Sequence, residues 1–346
     1  CGNSIHFSHK PKIPAMAMII SQCSLSVLRQ SAEKLKAGDL VAFPTETVYG
    51  IGADAENRDA VARMYQVKNR PASHPVIVHI AELNDVDYWA QEIPEYAINL
   101  MRDFWPGPMT LLLKRREVAG DFLTGAQEIV GLRIPANSLA LGLLNEFKAV
   151  GGKGIAAPSA NRYGAVSPTT AEAVSQELSE YLLQDDQILD GGPCLVGVES
   201  TIIDCSDQNP KILRPGAISA EMIEESTGIV LEEVGETKIR VSGSDKQHYA
   251  PKAKVIVDGQ SQRGEGLIAM SDVATPEGVV RLAEPKSVEE YARVLYSALR
   301  ASDTQNLQTV RIIPPVGPGL AVAIRDRINR AGALPVNRDL YLQGED

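Results

Sequence analysis

Apolar positions change period repeatedly along this chain. Leu25, Leu28, Ala32 and Leu35 fall on one helical face, and Gly38 stops that helix. A short apolar run over 39–43 then reads as a strand. The alternation continues with helix 58–67, strand 76–80, helix 94–104, strands 109–113 and 129–134, helix 138–147, strand 154–157 and helix 169–183. Short strands near 187–189, 200–204 and 211–214 finish this part. Strands interleaved with helices predict an α/β fold, a twisted sheet with helices packed on it.

Residues 232–247 break the pattern. They are polar, contain Gly235 and Gly243, and read as a linker that becomes ordered over a site. A second α/β pattern begins after them, with strands 253–258 and 266–270, helix 287–301, strand 308–313 and helix 319–331. Val294, Leu295, Ala298 and Leu299 give its long helix an apolar face. This part resembles a small Rossmann-like domain, but it has no G-x-G-x-x-G, so no dinucleotide site is expected. The expected division is a tail over 1–20, a catalytic domain over 21–231, a linker over 232–252 and a C-terminal domain over 253–346. The tail starts without Met, carries no apolar periodicity over 1–12, and is left out of the fold reading.

Composition narrows the classes. With 346 residues, 44% hydrophobic and 23% charged, the chain has material for one large domain or two ordinary ones. A net charge of −10 disfavours a broad nucleic-acid-coating surface, while Lys114-Arg115-Arg116 remains one local basic patch. Cys1, Cys23, Cys194 and Cys205 form no C-x-x-C and no zinc-like spacing, which points to structural thiols in a reducing, cytoplasmic setting. No run of eighteen apolar residues occurs, so no membrane span is expected.

The densest chemistry lies in FPTETVYGIGADA, residues 43–55. Pro44 ends a strand, and Gly50 and Gly52 allow positive φ or close backbone approach. Hydroxyls and the Glu46 carboxylate crowd there, and Glu46 reads equally as a substrate or magnesium orienter and as a structural cap. Lys68 and Arg70, two apart after a helix, form either a solvated pair or a clamp on one triphosphate. Ser159, Asn161 and Ser167, restrained by Pro158 and Pro168, are neutral donors or simply a turn. Arg133 interrupts an apolar strand and needs an anionic partner, whether a substrate carboxylate or a structural one. His79 alternates within another apolar strand, as a core histidine would. The rigid WPGP of 105–108 reads as a cleft wall. There is no P-loop, kinase signature, Ser-His-Asp order or clustered metal ligands.

Taken in order, these motifs with KNRP (68–71), VIVHI (76–80), WPGPMT (105–110), GLRIP (131–135), APSAN (157–161), GVEST (197–201) and LRPG (213–216) resemble the YrdC-like family of threonylcarbamoyl-AMP synthases. With HYAP (248–251) and the C-terminal α/β pattern, the chain resembles the two-domain form, from about Ser24 to the C-terminus. The resemblance implies a twisted, largely open sheet with a concave face. It also implies condensation of L-threonine, bicarbonate or carbon dioxide, and ATP, with magnesium accompanying ATP. It places the ATP phosphates on Lys68, Arg70, Ser159 and Asn161, and gives further nucleotide contacts to His74, Ser167, Arg214 and Tyr249. It places the threonine carboxylate on Arg133, with Thr47, His79, Ser200 and the Ala157 backbone around it. Lys68, Arg70 and Arg133 are thereby the implied catalytic set. The product would pass to a separate tRNA threonylcarbamoyl transferase complex acting beside the anticodon, with at most weak tRNA binding by this chain. Two departures stand out: His74 where an Asn is more familiar, and VSGSDKQHYAPK in place of a more basic, Pro-Gly-containing run. A double-stranded-RNA-binding module, a YrdC-like adenylate hydrolase and a hydrogenase-maturation carbamoyltransferase are the competing readings. The paucity of Cys/His pairs disfavours the last.

Overall fold

The computed structural model describes residues 18–231, 238–243 and 249–333. Most of the expected tail, two pieces of the expected linker (232–237 and 244–248, the latter with His248) and residues 334–346 lie outside the described residues.

Among the described residues, two sheets organise the chain. The first is built from β1 (Ile19–Ile20), α1 (Leu25–Ala37), β2 (Val41–Phe43), β3 (Gly50–Asp54), α2 (Arg58–Lys68), β4 (Ile77–His79), α3 (Val86–Trp89), α4 (Glu95–Phe104) and β5 (Met109–Lys114). It continues through α5 (Asp121–Thr124), β6 (Ile129–Arg133), α6 (Ser138–Ala149), β7 (Ile155–Ala156), α7 (Ala171–Leu178), β8 (Gln187–Leu189), β9 (Thr201–Asp204), β10 (Lys211–Arg214) and α8 (Ala220–Thr227). Its ten strands run in the order β1-β8-β2-β3-β7-β4-β6-β5-β9-β10, with parallel and antiparallel pairs mixed. The second body holds β11 (Lys254–Val257), β12 (Gly266–Ile268), β13 (Val280–Ala283), α9 (Val288–Thr304), β14 (Thr309–Ile312) and α10 (Leu320–Gly332). Its four strands are all parallel, in the order β11-β14-β12-β13.

The elements form for local reasons. Ser24 caps α1 and Gly38 closes it at φ 95°. Asn57 caps α2, and Asn69 ends it in the left-handed region at φ 51°. That reversal brings the Arg70 N–H back to the Tyr65 carbonyl at 2.9 Å, so Lys68 and Arg70 leave the helix in different directions. Stretch 43–55 contains a second strand that the sequence reading did not include. Gly50–Asp54 is a strand that pairs antiparallel with β2, with Phe43 opposite Gly50. Its glycines serve close packing, since a Cβ on Gly52 would lie 2.8 Å from Ile155. Ile19–Ile20, inside the expected tail, pairs parallel with β8. The edge strand β13 and helix α8 have no counterpart in the sequence reading.

The main core lies between the large sheet and its helices, around Tyr49, Met64, Trp89, Leu100 and Leu111. A second cluster gathers Leu295, Tyr296 and Ile324 of the C-terminal body with Val48, Val166 and Val198 of the first. The two bodies thus share one apolar seam, and that seam runs directly behind the candidate site.

Candidate active site

Sheet register builds the floor of the site. His79 pairs with Arg133 across β4 and β6, and with Ile155 across β4 and β7. Side chains alternate along a strand, so Ile77 and His79 share a face with Arg133. These residues line a cavity bounded by Thr45, Thr47, Arg70, Ser159, Ser200, Arg214 and Tyr249 among others.

Arg133 is 4% exposed. Its Nη2 donates to Glu46 Oε1 at 2.6 Å and its Nε to the Gly107 carbonyl at 3.3 Å. The other Glu46 oxygen accepts the Ala136 N–H at 3.0 Å. Glu46 therefore holds Arg133, and WPGP serves the same end through Gly107 instead of lining the cavity. His79 is buried, and its Nδ1 has no hydrogen-bond partner among the described residues. Burial, reinforced by the charge of Arg133, pulls its pKa down to about 3, so the imidazole is neutral near pH 7. A neutral imidazole in the cavity lining adds no charge beside Arg133.

On the opposite wall, Arg214 Nε and Nη2 donate to the Ser200 carbonyl at 3.1 and 2.8 Å. Its Nη1 donates to the Ser242 carbonyl at 2.7 Å. Arg70 Nη2 donates to the Pro75 carbonyl at 2.7 Å and to Ser242 Oγ at 3.2 Å, while its Nε has no partner among the described residues. Ser242 thus bridges two cavity arginines from residues 238–243, a strap laid over the sheet with Val241 against Leu112 and Ile202. Tyr249 closes the cavity from the C-terminal side and stacks on Tyr296 at 5.6 Å between centroids.

Most expected residues come together here. Thr47, Arg70, His79, Arg133, Ala157, Ser159, Ser200, Arg214 and Tyr249 all line the cavity. Four do not. Lys68 is buried, with its ammonium on the carbonyl oxygens of Ser159 and Asn161. Burial and the neighbouring Arg70 push its pKa well below the usual lysine range. It braces the 159–161 turn from behind. Asn161 Nδ2 donates to the Arg162 and Ala165 carbonyls at 2.8 and 2.9 Å. Ser167 donates to Glu199 at 2.6 Å, and His74 packs edge-on against Tyr163. Thr45, Glu199, Ser242 and Gly243 line the cavity without having been assigned a role from the sequence. Glu199 lies inside the GVEST motif, so the signal was present but its carboxylate carried no spacing cue.

Among the described residues, no cluster of three or more His, Cys, Asp or Glu is placed to hold a metal ion. The basic patch is locally neutralised: Lys114 pairs with Glu92 at 2.5 Å, and Arg115 with Asp121 and Glu128 at 2.8 and 2.9 Å. Among the described residues, no helix is long and apolar enough to cross a membrane.

Two family models match the chain. One, described as telomere recombination (Sua5/YciO/YrdC), spans residues 33–216, and the other, described as threonylcarbamoyl-AMP synthase, C-terminal domain, spans 218–333. The threonylcarbamoyl-AMP synthase of Pyrococcus abyssi is 37% identical over 331 residues, covering 88% of this chain and 93% of the relative. That of Bacillus subtilis is 37% identical over 323 residues, covering 86% and 91%. The crystal structure of P. abyssi Sua5 complexed with L-threonine superposes with a TM-score of 0.81 at 35% identity, covering 91% of this chain and 98% of that one. The chain belongs to the Sua5/YciO/YrdC family.

Proposed function

We propose that this chain is a threonylcarbamoyl-AMP synthase, a nucleotidyltransferase that condenses L-threonine, bicarbonate or carbon dioxide, and ATP. The observation that carries the reading is the convergence of Arg70, Arg133 and Arg214 with a neutral His79 on one cavity. Relatives of this name match nearly the whole chain, and the P. abyssi relative binds L-threonine.

In this reading Arg133, fixed by Glu46, anchors the threonine carboxylate. Thr47, His79, Ser200 and the Ala157 backbone surround the rest of the amino acid. The amino group adds to carbon dioxide and loses a proton, giving a carbamate. A carbamate oxygen then attacks the α-phosphorus of ATP, the bond to the β-phosphate breaks, and pyrophosphate leaves. The protein supplies alignment and charge neutralisation instead of a nucleophile. Arg70 and Arg214 face the phosphates, while Lys68 acts on them through the turn it holds at Ser159 and Asn161. Tyr249 completes the nucleotide side, while Ser167 stands behind it on Glu199 and His74 lies outside the cavity lining. Magnesium enters as part of the ATP complex, as substrate, because Glu46 and Glu199 are already committed to arginines.

The catalytic unit of this reading is 21–231, with a linker over 232–252 and a C-terminal unit from 253. The product leaves for a tRNA threonylcarbamoyl transferase in the cytoplasm. The reading is tested with labelled bicarbonate and ATP. A labelled threonylcarbamoyl-adenylate, detected by mass spectrometry, forms only when L-threonine is added, and an unlabelled or threonine-independent product contradicts it.

A further inference from the structure

Three arginines of the C-terminal body reach across the seam into the first. Arg293 donates to the Leu195 carbonyl at 3.1 Å, and Arg300 to the Val166 carbonyl and to Glu177, the latter at 3.3 Å. None of these partners lines the cavity. Arg327 of α10 is different, because it has no exposed surface and its partner lines the substrate cavity.

Arg327 Nε donates to Glu199 Oε2 at 2.8 Å, its Nη2 to the Glu199 and Pro215 carbonyls at 3.4 and 3.0 Å, and its Nη1 to Asp326 at 2.6 Å, a second carboxylate that Arg330 also offsets at 3.0 Å. Tyr296 donates to Glu199 Oε2 at 2.8 Å, and Ser167 to Oε1 at 2.6 Å. The guanidinium also lies 5.5 Å from the centroid of Tyr249. One side chain therefore grips residues 199 and 215, immediately beside Ser200 and Arg214. Those two are joined to each other by three hydrogen bonds.

We propose that Arg327 is a positioning residue for the nucleotide half of the cavity, holding and neutralising Glu199 so that this wall accepts a polyanion. It rests on the synthase reading for the identity of that anion as ATP. The charge balance explains why a brace is needed. Three arginines line the cavity, but Glu46 already offsets Arg133, and an uncompensated Glu199 would offset another. A lone carboxylate in a buried wall repels phosphate strongly, because little water screens it. Arg327 removes that penalty without entering the cavity, and so makes the C-terminal body a structural part of the site.

The test is calorimetric titration of the full chain with magnesium-ATP and, separately, with L-threonine. The proteins are the wild type, Arg327→Gln, Arg327→Lys and Arg327→Gln/Glu199→Gln. Arg327→Gln should lose about tenfold in ATP affinity while threonine affinity moves by less than about threefold. The double variant, with both charges gone, should recover most of the ATP loss, which is the coupling a thermodynamic cycle reads. Equal losses for ATP and threonine, or a double variant as weak as the single, would overturn the proposal and leave a merely structural seam. If Arg327→Gln alone does not fold, Arg327→Lys decides, since it keeps the charge but cannot span Glu199 and the Pro215 carbonyl with one planar fork. It must weaken ATP more than threonine, and parallel changes overturn the proposal. Failure of the synthase reading shows separately, as wild-type protein that releases no threonine-dependent pyrophosphate.

Discussion

Glu46 and Arg133 form a buried ion pair at 2.6 Å, with the carboxylate behind the guanidinium and outside the cavity lining. Breaking such a pair from one side leaves an uncompensated ion. Arg133→Ala should raise the KM for L-threonine by about 10- to 100-fold, the worth of a charge-assisted hydrogen bond to the substrate. Glu46→Ala should unfold at lower urea, by about 3–5 kcal/mol, because the buried guanidinium stays. A threonine KM unmoved by Arg133→Ala would remove Arg133 from the substrate site.

Lys68 faces two carbonyl oxygens instead of the cavity. Lys68→Met should therefore cost stability of about 1–3 kcal/mol from unpaired carbonyls, and weaken ATP binding as the 159–161 turn relaxes. Urea denaturation alongside ATP titration reads both. A variant of full stability that has lost ATP binding would instead mean that Lys68 swings out to the phosphates.

Gly243 sits at φ 78°, and a Cβ there would lie 2.2 Å from the Tyr249 hydroxyl and 3.4 Å from Arg214 Nη1. Gly243→Ala combines left-handed strain with this clash, at a cost of about 1–3 kcal/mol. The strap and Tyr249 should shift together, raising the KM for ATP more than that for threonine. Steady-state kinetics with each substrate varied in turn checks this, and equal changes would contradict it.

His79 and Glu199 both make the fold acid-sensitive, in windows that overlap between about pH 4.5 and 3. His79 falls from 6.5 to about 3 because burial and Arg133 disfavour its charged form. The unfolded chain thus binds the extra proton between those values, and stability falls with decreasing pH at up to about 1.4 kcal/mol per unit. Burial would raise Glu199, but Arg327 and Arg214 outweigh it and hold the carboxyl at about 2, against an ordinary 4.5. Its stabilising contribution is present above 4.5 and is lost as pH falls toward 2. His79→Asn should flatten urea stability between pH 6.5 and 4.5, and reduce the loss below 4.5 to the part that Glu199 contributes. An unchanged slope would mean that His79 is not buried neutral.

Much of this was legible in the residues. Helices α1 and α9 announce themselves through apolar periodicity, at Leu25, Leu28, Ala32 and Leu35 and at Val294, Leu295, Ala298 and Leu299, and the structure adds the caps at Ser24 and Ser287. Arg133 is legible because a charge in an apolar strand demands a partner. Whether that partner is Glu46 or a ligand depends on a contact between residues 87 positions apart, which no local pattern encodes. Strand β3 was hidden because Gly50 and Gly52 lower strand propensity, and their packing reason appears only once Ile155 and Ala157 lie across from them. Glu199 escaped for a related reason. Its meaning comes from Arg327, on a helix of the other body, and sequence distance conceals that pairing.

The most direct measurement is pyrophosphate release from ATP, with and without L-threonine and bicarbonate, in the wild type and in Arg133→Ala. Release should require both co-substrates and collapse at low threonine in the variant. Release indifferent to threonine, or unaffected by Arg133→Ala at limiting threonine, would contradict both the synthase reading and the place of Arg133 in it.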